Sequence, residues 1–195
     1  MTQQGKNAID LVLAESLIEL SAKKPIDKIT IKEITDKAGV IRPTFYNHFQ
    51  DKYELIEWII KTELLEPIKP LLNAGMIFEA IVLMLNNITA NSVFYKKALK
   101  LEGAVTFNQI AMKCVYEMFM NIISEKSTGK KSKYRWLTPE VISTYYAQSL
   151  CFITEGWIAQ GMDDIEPKEM AEAYMYLITR SMDDILSELI EDNCH

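Results

Sequence analysis

Cysteine, histidine, glycine and proline are all scarce in this 195-residue chain, and each shortage removes a class of protein. Seven glycines and six prolines are too few for a turn-rich all-β fold. Cys114, Cys151 and Cys194 stand far apart with no CxxC pair, and their odd number argues against a secreted disulfide framework. His48 and His195 are the only histidines, so Cys/His zinc-ligand spacing cannot be assembled, and neither metal nor cofactor is expected. Long apolar runs are missing too: stretches such as Ala80 to Leu85 fall far short of the roughly 20 residues a membrane span needs. Met1 to Lys6 is polar and lacks the apolar core of a signal peptide. A cytoplasmic chain with no membrane partner is the expectation.

Catalytic signatures are absent as well. There is no GxSxG, phosphate loop or HExxH motif, so no enzymatic site is expected. Carboxylate pairs such as Asp163-Asp164 and Asp183-Asp184 leave a purely acidic metal site as a formal alternative. A turn and the exposed side of a helix explain those pairs more simply.

What is present is hydrophobic residue, 49% of the chain, enough for a packed core. The net charge of −6 at first argues against nucleic acid, but its distribution softens the objection. Residues 1–53 hold eight Lys or Arg against seven Asp or Glu, a net of +1, whereas residues 54–195 hold thirteen against twenty, a net of −7. A DNA-binding surface would have to lie in the first quarter of the chain.

Helical periodicity runs throughout. Ile9, Val12, Leu13, Ser16, Leu17 and Leu20 define one face of a first helix that Pro25 stops. Thr30-Ile31-Lys32-Glu33 fits a capping box opening a short second helix, with Ile31, Ile34 and Ala38 inward and Gly39 ending it. A third helix is expected over Arg42 to His48, with Phe45 and Phe49 facing the core. Asp51 to Glu54 repeats the capping-box pattern and opens a long helix reaching Pro67. Dense apolar segments near 76–91, 93–101 and 105–125 read as helix, and Ser127 to Lys133 as an exposed basic loop. Thr138 and Pro139 start a helix to about Gln160, and Pro167 opens a last one running to about residue 190. The fold expected is all-α: a three-helix helix-turn-helix domain over 1–52, then a helical bundle over 53–195, with helix 52–66 connecting them.

Two short helices joined by a glycine turn can pack steeply enough for the second to enter a major groove. With Phe45 and Phe49 inside, Arg42, Pro43, Thr44, Tyr46, Asn47 and His48 point outward. Arg bonds a guanine edge through two donors, the Thr methyl and Pro touch a thymine methyl, and Tyr, His and Lys donate to phosphates. Lys52 joins them at the positive N-terminus of the next helix.

The run Thr30 to Val40, followed by Thr44-Phe-Tyr-Asn-His-Phe49 and Lys52, resembles the signature of the TetR family of transcription regulators over about residues 7–60. The resemblance implies that Arg42 and Pro43 read bases, that Thr44, Tyr46 and His48 grip the backbone, and that Lys52 meets a phosphate. It also places Thr30 and Lys32 at positions able to contact DNA. One departure is Ile41, where the family commonly has a polar cap for the third helix; Pro43 offsets it in part by removing an amide that would lack a partner. The stretch Trp136 to Trp157 bears a faint resemblance to the subfamily associated with dihydroxyacetone kinase regulation.

The helical domain offers Met84, Met112, Tyr116, Phe119, Trp136, Tyr145, Phe152 and Trp157 as candidate walls of a ligand pocket, although such residues at helical spacing more often form core. A local charge of +1 is a weak anchor for one helix-turn-helix, so a homodimer on a palindromic operator is expected. Its interface would use Tyr174, Ile178, Met182 and Ile185 on the broad stripe of the last helix. The function expected is a sequence-specific DNA-binding repressor released by a small ligand. The alternatives are a DNA-binding coregulator or activator controlled by a partner protein, and a helical enzyme or carrier.

Overall fold

A computed structural model describes residues 3–103, 105–126 and 132–191, and the regular elements among them are all helical. Ser127 to Lys131, in the expected basic loop, and Cys194 and His195 lie outside the described residues.

Helix α1 (Gln3–Lys23) ends two residues before Pro25, and a single 3-10 turn (Ile26–Lys28) leads to α2 (Ile31–Ala38) and α3 (Arg42–Tyr46). The face α1 buries is the expected one shifted: Leu13, Ser16 and Leu17 are buried and Ile9 and Leu20 pack against the core, but Val12 is exposed and Asp10, Ala14 and Ser21 turn inward in addition. Helix α3 is two residues shorter than its pattern implies: Asn47 caps it, and the next amide, His48, bonds back three residues to the Phe45 carbonyl.

Helix α4 (Lys52–Ile59) does not stop at Pro67. It passes into a π-helical segment (Ile60–Leu65) and then α5 (Glu66–Asn73), which holds Pro67 in its first turn and Pro70 inside it. The Glu66 amide reaches back five residues to the Lys61 carbonyl. Proline is tolerated in the first turn of a helix, where its missing amide would lack an intrahelical partner anyway.

Next come α6 (Ile77–Ala90), α7 (Ser92–Ala98), α8 (Phe107–Lys126) and α9 (Pro139–Ala159), capped by Thr138 as its sequence implies. The expected last helix is two. Arg180 is extended between α10 (Pro167–Thr179) and α11 (Met182–Glu191), and Ser181 exchanges bonds with Asp184 to cap α11. Helix α8 packs along α9, α6 against α5 and α10, and α1 against α2, α4 and α7. One apolar core runs from Leu13 and Phe45 through Leu55 and Ile59 to Met84, Tyr95 and Trp157. No single helix among the described residues is long and apolar enough to cross a membrane.

Candidate nucleic-acid interface

Helix α2 is set by its ends. The Thr30 hydroxyl accepts from the Glu33 amide at 3.3 Å, and the Glu33 carboxylate accepts from the Thr30 amide at 2.9 Å. Lys24 adds an ion pair to Glu33 at 2.5 Å. The Lys24 bond first, then those from Thr30, hold the Glu33 carboxyl at about 2, against an ordinary value of 4.5. At the other end Gly39 takes φ +69°, a left-handed conformation glycine adopts at no steric cost, and both Gly39 and Val40 donate to the Thr35 carbonyl.

That turn delivers α3. Ile41 stands at its N-cap with no side-chain bond, and Pro43 follows in the first turn. Phe45 and Phe49 are buried with ring centroids 5.9 Å apart, and Phe49 meets Trp58 of α4 edge-on at 6.3 Å. Pinned from inside in this way, α3 turns Arg42, Pro43, Tyr46 and Asn47 to solvent, with Thr44 half-buried beside them. The Arg42 Nη2 reaches the Tyr46 hydroxyl at 3.4 Å, and among the described residues no carboxylate pairs with Arg42. The face presents a guanidinium, a pyrrolidine ring, a threonine methyl, a phenol and an amide, the donor and apolar set that reads base edges and phosphates.

Four expected contacts stand differently. The side chain of His48 is only 2% exposed, because its Nδ1 lies 2.6 Å from Oδ1 of Asp10 on α1; it points into the domain and not toward a groove. Lys52 spends all three donors inside the chain, on the carbonyls of Ile26, Asp27 and Ile29 at 2.9, 2.7 and 3.1 Å. Burial lowers the pKa of this ammonium. It clamps the turn between α1 and α2 onto the start of α4, with no donor left for a phosphate. The Thr30 hydroxyl is occupied by the capping box, and Lys32 is exposed but paired with Asp36 at 2.8 Å. Asp51 caps α4 by accepting from Tyr53 and Glu54, while Glu54 reaches the Gln50 amide, one residue outside the expected box.

Asp10 and the three carbonyls around Lys52 were missed by sequence reasoning. An acid in step with Leu13 and Leu17 was the available sign of the first; a carbonyl cage leaves none.

In the helical domain the candidate pocket residues disperse. Met84 lines a small apolar cavity, whereas Met112, Tyr116 and Phe119 are half-buried against the core. Trp136 and Tyr145 are 75% and 63% exposed and line nothing internal. Phe152 and Trp157 border an open groove beside the turn between α9 and α10; Trp157 is buried and donates to the Ile165 carbonyl at 3.0 Å. Of the candidate interface residues, Tyr174 is 4% exposed and belongs to the chain's own core. Met182 is exposed, and Ile178 and Ile185 are half-buried.

Residues 15–59 match the family described as bacterial regulatory proteins, tetR family, and residues 76–180 match a transcriptional regulator C-terminal region. The chain belongs to the TetR family: it is a DNA-binding transcriptional regulator and not an enzyme. Among curated relatives it is 26% identical over 152 residues to the HTH-type dhaKLM operon transcriptional activator DhaS of Lactococcus lactis subsp. lactis (strain IL1403), covering 77% of this chain and 79% of that one. Among solved structures it is similar to the dihydroxyacetone kinase operon activator DhaS, with a TM-score of 0.61 at 21% identity over 87% of this chain and 93% of the other. NalD, the secondary repressor of the MexAB-OprM multidrug efflux pump in Pseudomonas aeruginosa, gives a TM-score of 0.56 at 13% identity over 87% and 94%. These two likenesses are likenesses of fold.

Proposed function

We propose that the chain binds a palindromic operator as a homodimer, with the Arg42–Asn47 face of each copy in a major groove, and that a small molecule held in the helical domain sets its affinity for that site. The single observation that carries the DNA reading is the exposed donor-rich face of α3 on a helix immobilised by Phe45 and Phe49. In this reading residues 1–52 form the DNA-binding module and 53–195 the regulatory domain, α4 joining the two. A second copy is favoured by the apolar groups that α9, α10 and α11 leave in water: Tyr145, Phe152, Leu177, Met182 and Leu186. A two-fold axis would cover such a face with itself and set the spacing of half-sites.

A second reading is favoured by the printed role of the curated relative, an activator. Here the bound dimer promotes transcription, and the helical domain answers to a partner protein. Selection of tight binders from random double-stranded DNA by the purified protein tests the common core, with an inverted repeat as the expected result. Deleting the chain then separates the two: expression of the regulated gene rises if it represses and falls if it activates. Selected sequences with no two-fold symmetry would sink both.

A further inference from the structure

Helices α2 and α4, on either side of α3, each begin on a residue whose own side chain holds the first turn, Thr30 and Asp51. Helix α3 does not. Ile41 stands at its N-cap in extended backbone, and its side chain makes no bond to the turn it opens. The Thr44 amide donates instead to the Ile41 carbonyl at 2.9 Å, and Pro43 has no amide to satisfy. The Ile41 side chain therefore contributes nothing to the start of the helix. It contributes nothing to the core either: at 69% exposure it is more open to water than any other Leu, Ile or Val among the described residues.

Its place decides what such a residue can do. A recognition helix lies in the major groove with its N-terminal residues against base edges, and Ile41, Arg42 and Pro43 are consecutive exposed residues at that end of α3. The Arg42 guanidinium reaches one turn along the helix to the Tyr46 hydroxyl, which leaves the leading edge apolar. An isoleucine side chain has no donor or acceptor, so it bonds neither a phosphate nor the polar edge of a base. Amino groups, carbonyls and ring nitrogens mark the major-groove edges of the base pairs, and the apolar projection among them is the C5-methyl of thymine. We propose that Ile41 is a specificity residue that packs on a thymine methyl in each half-site, next to the base pair that Arg42 reads. The proposal rests on the reading above, with α3 in the major groove. Burial of one methyl group supports a preference of about four-fold in each half-site.

The test begins with an operator selected by the full-length protein from random double-stranded DNA. Each thymine shared by the half-sites is then replaced by deoxyuridine, which pairs alike but lacks the methyl. At one such thymine the wild type should bind about four-fold more weakly for each half-site changed, and Ile41→Ser should show no such loss. Ile41→Val, which keeps a branched apolar side chain, should retain most of the effect. Because the side chain supports neither cap nor core, Ile41→Ser should also keep the wild-type Tm. The assignment is overturned if no thymine methyl matters to the wild type. A loss that Ile41→Ser shares would give the methyl to Pro43 or Thr44, and a Tm several degrees lower would make Ile41 a structural residue; either result also overturns it. In each of these cases a selected sequence that Arg42→Ala relaxes would still keep α3 in the groove. If neither Ile41→Ser nor Arg42→Ala alters the selected sequence, the reading of α3 fails along with the proposal.

Discussion

His48 turns its Nδ1 to within 2.6 Å of Oδ1 of Asp10, 38 residues earlier in the chain, and so ties the end of α3 to α1. An ionised carboxylate only accepts, so Nδ1 carries the proton. Replacing Asp10 by alanine strands a buried imidazole donor and should destabilise the protein by about 1–3 kcal/mol in urea unfolding. His48→Ala should leave the dependence of log affinity on log salt unchanged. A slope lower by about one unit would put His48 back on a phosphate.

Lys52 makes a related forecast. Lys52→Met leaves three carbonyls without their shared donor, and about 1–3 kcal/mol of stability should be lost. For the folded protein the salt slope should stay as it is. A fall of about one unit would mean that the ammonium leaves its cage for a phosphate when DNA arrives.

Arg42 is the residue whose loss should be felt in sequence preference. Arg42→Ala is expected to weaken operator binding by about 1–3 kcal/mol and to relax specificity at one base pair. Unchanged preference in a repeated selection would place the reading face elsewhere on α3.

The capping box predicts an acid limb. The carboxyl of Glu33 sits at about 2 when folded and returns to its ordinary 4.5 on unfolding, so its stabilising contribution is complete above pH 4.5 and disappears as pH falls through about 2. Glu33→Gln should melt lower than wild type at neutral pH, and the gap should close over that window. Melting curves that stay parallel down to pH 2 would show that the ion pair with Lys24 does not stabilise the fold.

Phe152 and Met182 are 76% and 70% exposed, so charging both asks little of the monomer's core. The double substitution Phe152→Glu, Met182→Glu should keep its helicity and Tm, halve the mass seen by light scattering and lose the palindrome. A folded variant that remains dimeric would move the interface off α9 and α11.

What could be read from sequence was what short stretches determine. Thr30 and Glu33, Gly39, and the four-residue step from Phe45 to Phe49 act on neighbours, and each forms as its spacing implies. His48 escaped because, three residues after the buried Phe45, it lies at the edge of the inward face and not opposite it, and because its partner lies on another helix. Lys52 escaped because backbone carbonyls leave no mark in a sequence. The break before α11 was legible in Ser181 and Asp184 but was hidden by an apolar stripe that continues across it. The cavity wall could not be read at all, since helical spacing gives a face but not which neighbour leaves it unfilled.

The π-helical turn sets the phase of the long rod from α4 to α5. Residues four apart drift around an α-helix by about 40° at each step, because 3.6 residues complete a turn. Ile56, Ile60, Leu64 and Ile68 are nevertheless all buried. The wider turn takes up part of that drift and keeps the row straight, so the rod meets the DNA-binding module and the helical domain with one continuous seam. A rotation imposed at Leu64 would therefore be passed to Ile56 along a single buried line of side chains.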